Sequence, residues 1–171
     1  KAVFKDDPIA NALFVILRDT GARVAEVAGL RVTDCNLDER YINITPTPWR
    51  RLKNAPSERS VPLSPEAVKV LQALITGKDP EAPVFERYAR PRGMDRVSAM
   101  MMKRFRKVIT DKKLSMHSLR HRMKDKLRNT GCPEAVSMAI LGHGTNTVAA
   151  NYGSGYAIDK PREHMSRVWA S

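Results

Sequence analysis

The chain has 171 residues, enough for one domain with a substantial core, and its 42% hydrophobic and 28% charged residues exclude a disordered polymer. It holds 30 Lys and Arg against 18 Asp and Glu, a formal net charge of +12. That excess is local: fifteen basic residues lie between Arg87 and Arg128, opposed only by Asp95, Asp111 and Asp125, so the remaining chain is neutral.

A block that carries the whole net charge points to a polyanionic partner, nucleic acid before an anionic membrane. No run approaches the roughly 20 apolar residues of a membrane span, and no signal peptide is visible. Cys35 and Cys132 lack any CxxC or paired Cys/His spacing, which argues against a zinc site and fits reduced thiols in the cytoplasm. The first residue is Lys1 rather than Met, so the chain reads as a fragment.

In chain order, Pro8 to Asp19 reads as a helix with Ala10, Leu13, Phe14 and Leu17 on one stripe and Gly21 as its left-handed stop. Arg23 to Leu30 is a second short helix, with Val24, Val27 and Ala28 inward. Asn36 to Glu39 is turn-like, and Tyr41 to Ile44 alternates like a strand. Thr45 to Glu58, with Pro46, Pro48 and Pro56, is a long loop or extended hairpin, returning through the strand Arg59 to Leu63, where Pro62 marks an edge or an end.

Ser64 caps a helix opened by Pro65, with Val68, Leu71 and Leu74 toward the core. Pro80 to Phe85 is a connector with room for a two-residue strand. A basic helix runs from about Asp95 to Thr110, with Val97, Met101, Phe105 and Val108 on one side. His117 to Thr130, Pro133 to Leu141 and Lys160 to Trp169 complete the helices. The expected fold class is α+β, mainly helical, with a small antiparallel sheet inserted near the N-terminus.

Four groups of residues could carry chemistry. His117 and Arg120, three apart on one helix face, suit a phosphate: the guanidinium grips two oxygens and the imidazole exchanges a proton near neutral pH. Arg23 follows Thr20-Gly21 at a helix start, where it either projects toward a ligand or pairs with Glu26 one turn on. His143 follows Leu141-Gly142, and Tyr152 lies nine residues beyond. A phenol with a pKa of about 10 needs a neighbouring base to act as a nucleophile; a lone Tyr is more often buried with its hydroxyl satisfied. Lys53 sits in the Pro-rich loop, on a tip that could reach a groove or simply remain in solvent.

The ordered set Arg23, Lys53, His117-x-x-Arg120, Leu141-Gly142-His143 and Tyr152 closely resembles the catalytic domain of the tyrosine recombinases, the family of phage integrases and related site-specific recombinases. The resemblance rests on Thr20-Gly21-Ala22-Arg23-Val24-Ala25-Glu26, on Lys53 preceding Arg59-Ser60-Val61-Pro62-Leu63, on His117-Ser118-Leu119-Arg120-His121, and on Leu141-Gly142-His143 at its spacing from Tyr152. It covers residues 8 to 168. Tyr156 lies four residues past Tyr152, and the spacing from His143 selects Tyr152. Arg50 and Arg51 lie close to Lys53 in the same loop.

The resemblance implies a DNA strand-transferase. Arg23 and Arg120 would stabilise charge on the phosphate, and His117 would take the Tyr152 proton or bind phosphate. His143 would hydrogen-bond the phosphate, and Lys53 would act as general acid. Tyr152 would form a 3′-phosphotyrosine link, with no cofactor and no metal. Lys103, Arg104, Arg106 and Lys107 would flank the duplex. The implied partners are double-stranded DNA attachment sites, with a tetramer on DNA and a monomer for the isolated domain. Residues 1–171 would be the catalytic domain, without the family's N-terminal DNA-binding domain. Ile158 to Trp169 would dock on a neighbouring protomer or pack on its own core. The competing readings are a type IB topoisomerase with the same chemistry and a catalytically silent DNA-binding regulator of the same fold.

Overall fold

The structure is a computed structural model that describes residue 4, residues 6–144 and residues 156–171. The fold is mainly helical with one three-stranded antiparallel sheet, as the sequence pattern predicts. Helix α1 (Pro8–Thr20) is the centre of the core. Asp7 Oδ1 caps it by accepting from the Ala10 N–H at 3.0 Å, and Gly21 ends it at φ +66° with its N–H on the Leu17 carbonyl. The stripe read from sequence is only part of the buried surface. Ala12, Val15 and Ile16 are buried as well as Ala10, Leu13 and Leu17, so this helix is enclosed nearly all round. Each fully buried Leu or Ile there contributes about 1.5–3 kcal/mol.

Helix α2 (Val24–Ala28) follows at once. Strands β1 (Cys35–Asn36), β2 (Tyr41–Ile44) and β3 (Arg59–Pro62) form the sheet in that order, with Cys35 opposite Ile42, Ile42 opposite Val61, and Ile44 opposite Arg59. Ile42, Ile44 and Val61 face the core, while Asn43 and Ser60 pair on the other face at 2.6 Å. Pro62 ends the edge strand β3. Nothing in the sequence marks strand β1, because two residues are too few for alternation to show.

Helix α3 (Pro65–Ile75) is capped by Ser64, whose hydroxyl accepts from the Ala67 N–H. The connector before Phe85 bridges to the segment after α2 at Arg31 and Pro83. Helix α4 (Gly93–Phe105) begins two residues before the predicted start and ends five before the predicted end. Val97, Met101 and Phe105 are buried, but Val108 is 55% exposed. The reason is tertiary: the Arg106 guanidinium donates to the carbonyls of Asp111 (2.7 Å), Lys112 (3.2 Å) and Leu114 (2.8 Å) and folds the following segment back.

Helices α5 (Ser118–Asn129), α6 (Glu134–Leu141) and α7 (Asp159–Ala170) close the fold. Helix α7 packs on its own chain. Met165 and Val168 are buried, the Trp169 indole N–H donates to the Asp19 carbonyl at 2.9 Å, and Lys126 Nζ donates to the Val168 carbonyl at 3.3 Å. Among the described residues no helix is long and apolar enough to cross a membrane.

Candidate active site

The site forms where four segment ends converge: the start of α2, the loop before β3, the start of α5 and the end of α6. Arg23 is the N-cap of α2. Its backbone N–H donates to Glu26 Oε2 at 2.8 Å and its Nη1 to Glu26 Oε1 at 2.6 Å. The pairing with Glu26 weighed from sequence therefore exists, but it does not exhaust Arg23. Nη2 also reaches the Gly142 carbonyl at 3.4 Å, across to the end of α6.

Glu26 serves a second guanidinium. Arg59, the first residue of β3, donates to Glu26 through Nη1 (3.2 Å) and Nη2 (3.0 Å), to the Ser57 carbonyl at 2.6 Å and to the Ile140 carbonyl at 2.7 Å. Burial pushes the Glu26 carboxyl up, but the Arg59 and Arg23 bonds and the Arg59 charge outweigh it and hold it below the ordinary carboxylate range. Gly142 closes α6 at φ +63°, and a Cβ there would lie 2.5 Å from Arg59 Nη1. Only a glycine lets the end of α6 lie against that guanidinium.

Arg120 lies one turn into α5 and is 3% exposed. It donates through Nη1 to the Gly21 carbonyl at 2.9 Å and through Nη2 to the Leu141 carbonyl, while Nε has no partner among the described residues. Burial, then the charges of Arg23 and Arg59, push its pKa down to about 10. Among the described residues the centre thus has three guanidiniums, Arg23, Arg59 and Arg120, against the carboxylate of Glu26. Such an excess of preorganised cations is what an incoming anion would neutralise.

His117 stands at the N-cap position of α5, without a side-chain capping bond, and is exposed. Partial burial, then the charges of His121, Arg120, Arg23 and Lys53, lower its pKa. His143, just past Gly142, is pushed down to about 4 by burial and then by Arg120, Arg23, Lys124 and Arg59. Lys53 is exposed on the loop before β3, within electrostatic reach of His117. The structure thus brings Arg23, Lys53, His117, Arg120 and His143 together. Tyr152 lies outside the described residues. A cleft of about 320 Å³, lined by Ala22, Arg23, Ser98, Met102, Met116 and His117, opens beside them. A larger cleft of about 490 Å³ between the ends of α1 and α7 contains none of the set.

Of the basic residues expected along α4, Lys103 and Lys107 are exposed. Arg104 instead pairs with Asp7 at 2.6 Å, and Arg106 holds loop carbonyls. The sequence offers Arg59 as the first residue of the Arg59-to-Leu63 strand motif, without a role in the site. The available signal was its register: Arg59 shares the core-facing side of β3 with Val61.

The sequence matches the phage integrase family over residues 4–156. The chain belongs to the phage integrase family, the tyrosine recombinases. It is 25% identical over 178 aligned positions to the transposase of transposon Tn916 from Enterococcus faecalis and equally to that of Tn1545 from Streptococcus pneumoniae, covering 90% of this chain. It spans only 44% of the length of those relatives. In structure, it resembles the recombinase XerA with a TM-score of 0.67 at 24% identity, over 97% of this chain and 59% of that one. It also resembles the Tn1549 transposon integrase in complex with circular intermediate DNA, with a TM-score of 0.63 at 22% identity, over 97% of this chain and 62% of that one. These likenesses establish the phage integrase catalytic fold for this chain.

Proposed function

We propose that this phage integrase domain is a site-specific DNA recombinase that cleaves and rejoins duplex DNA by transesterification. The observation that carries the reading is the meeting of Arg23, Arg59 and Arg120, the first two paired with Glu26, with His117, His143 and Lys53 around them. In this reading the Tyr152 hydroxyl loses its proton to His117 and its oxygen attacks the scissile phosphorus. Arg23 and Arg120 stabilise the charge gathering on the non-bridging oxygens, and His143 hydrogen-bonds one of them. The phosphorus–O5′ bond breaks, and Lys53 gives the departing oxygen its proton. The 3′-phosphotyrosine link keeps the phosphodiester energy, and a 5′-hydroxyl of another strand reseals the backbone. The step needs no cofactor.

Residues 1–171 are read as the catalytic domain, acting on attachment sites in cytoplasmic DNA as one of four copies and standing alone as a monomer. The exposed Lys103 and Lys107 would meet the sugar–phosphate backbone, which positions the duplex without reading sequence. The test is a suicide duplex with a nick next to the scissile phosphate. The unaltered protein should trap a covalent adduct and Tyr152→Phe should not, with peptide mapping placing the DNA on Tyr152 rather than Tyr156. Absence of any adduct, in this chain and in a longer protein that contains it, would leave a silent DNA-binding regulator. Relaxation of supercoils without recombinants from paired sites would identify topoisomerase behaviour.

A further inference from the structure

The loop that carries Lys53 is seated by an unusual residue. Pro48 and Trp49 form a tight turn closed by two backbone bonds, Thr47 N–H to the Arg50 carbonyl (3.0 Å) and Arg50 N–H to the Thr47 carbonyl (3.1 Å). The Trp49 indole N–H docks this turn on the Gly29 carbonyl, at the end of α2, at 3.2 Å. The Arg50 side chain lies flat over Gly29: a Cβ on Gly29 would fall 2.6 Å from Arg50 Nε and 2.8 Å from Arg50 Cβ.

Arg50 is 3% exposed and forms no ion pair among the described residues. Its Nη2 donates to the Thr45 carbonyl, while Nε, Nη1 and the neighbouring Thr47 hydroxyl are buried without a hydrogen-bond partner among the described residues. Burial lowers its pKa, against the opposing pull of Asp34 and Glu26. Folding alone does not call for such a residue. A buried cation with unmet N–H groups is costly, and a methionine of similar reach would fill the seat over Gly29 without that cost. What the guanidinium adds is its bond to the Thr45 carbonyl, which closes the 45–50 turn from inside and fixes the direction in which the chain leaves toward Lys53.

We propose that Arg50, clamped between Gly29 and the Thr45 carbonyl, is the positioning residue that sets Lys53 in place for proton transfer to the departing 5′ oxygen. The proposal rests on the reading of Lys53 as general acid. It ties the acid to α2, the helix whose N-cap is Arg23, so proton donor and phosphate-binding cation share one support.

The test uses a duplex whose scissile 5′ oxygen is replaced by sulfur. A thiol has a pKa of about 8.5, against 15.7 for water, so the sulfur departs as thiolate and needs no acid. Three variants are compared with the unaltered protein: Lys53→Ala, Arg50→Met and Gly29→Ala. Gly29→Ala leaves Arg50 in the chain but occupies its seat, so it decides the matter if Arg50→Met does not fold. On ordinary DNA, Arg50→Met and Gly29→Ala should cleave about 10- to 100-fold more slowly, and on the sulfur substrate both should come within about threefold of the unaltered protein. If Lys53→Ala recovers on sulfur while Arg50→Met and Gly29→Ala stay slow, the two positions matter for folding or binding and the proposal is overturned. Unchanged cleavage of ordinary DNA by either folded variant overturns it too. If Lys53→Ala itself fails to recover, the general-acid reading falls and takes the proposal with it.

Discussion

Arg59 and Glu26 meet at 3.0 Å with side chains only 7% and 5% exposed, and that pair joins the first residue of β3 to the helix that presents Arg23. Through Arg59 the same carboxylate is linked to the Ile140 carbonyl near the end of α6. One buried acid therefore supports three walls of the site.

Removing that acid should unfold as well as inactivate. Glu26→Gln strands the buried Arg59 guanidinium and frees the partly exposed Arg23, and should cost about 3–5 kcal/mol in urea denaturation. The pH dependence has a fixed sign. The folded pKa of Glu26 lies below its ordinary 4.5, so its stabilisation is complete above that value and is lost as pH falls through the folded pKa. Glu26→Gln should lose this part of the acid sensitivity, which melting curves between pH 3 and pH 7 would show.

His143 should make DNA binding pH-dependent. Its free pKa is about 4, depressed by burial and by the cations around it. An incoming phosphate neutralises those cations and raises the pKa, so the complex should take up protons and affinity should rise as pH falls from neutrality. The free fold moves the other way. The unfolded chain protonates this imidazole near pH 6.5 and the folded chain does not, so stability declines between 6.5 and 4. Calorimetric titration in buffers of different ionisation enthalpy should detect proton uptake that His143→Gln reduces.

Gly142→Ala should damage the fold at the site. The residue has φ +63°, and the new Cβ would strike Arg59 Nη1. The left-handed backbone and the displaced guanidinium together should cost about 2–4 kcal/mol, measured as a lower midpoint in urea.

The basic surface should divide into two classes. Lys103→Ala and Lys107→Ala should leave the melting temperature unchanged and each reduce the salt slope of DNA binding by about 0.9. Arg104→Ala breaks a partly exposed pair with Asp7 and should cost about 0.5–1 kcal/mol. Arg106→Ala releases the carbonyls of Asp111, Lys112 and Leu114 and should accelerate hydrogen exchange across residues 107–116, just before His117.

Local chemistry made much of the fold legible. Pro8 and Gly21 bound α1, Ser64-Pro65 opens α3, and the alternation of Tyr41 to Ile44 is a strand, because caps, turns and side-chain period act within a few residues. The end of α4 is not legible in the sequence, because its apolar period continues to Val108 while the stop comes from the Arg106 contacts with residues 111–114. The charged members of the site were readable as motif residues. Arg59 shows in the sequence as the first residue of the Arg59-to-Leu63 motif and Arg50 as a neighbour of Lys53, but not as parts of the site, since what distinguishes them is burial, and burial of an arginine is decided by segments far along the chain. Arg59 contacts Ile140, and Arg50 lies on Gly29.

Arg120 has a consequence for how such domains age. Its guanidinium bolts the Gly21 carbonyl at the end of α1 to the Leu141 carbonyl at the end of α6. A chain of this fold without recombination activity would still need that bolt to keep its shape, whereas the exposed His117 and Lys53 would be free to drift. In descendants of this chain, an intact Arg120 would testify to architecture, and His117 and Lys53 would be the better witnesses to surviving chemistry.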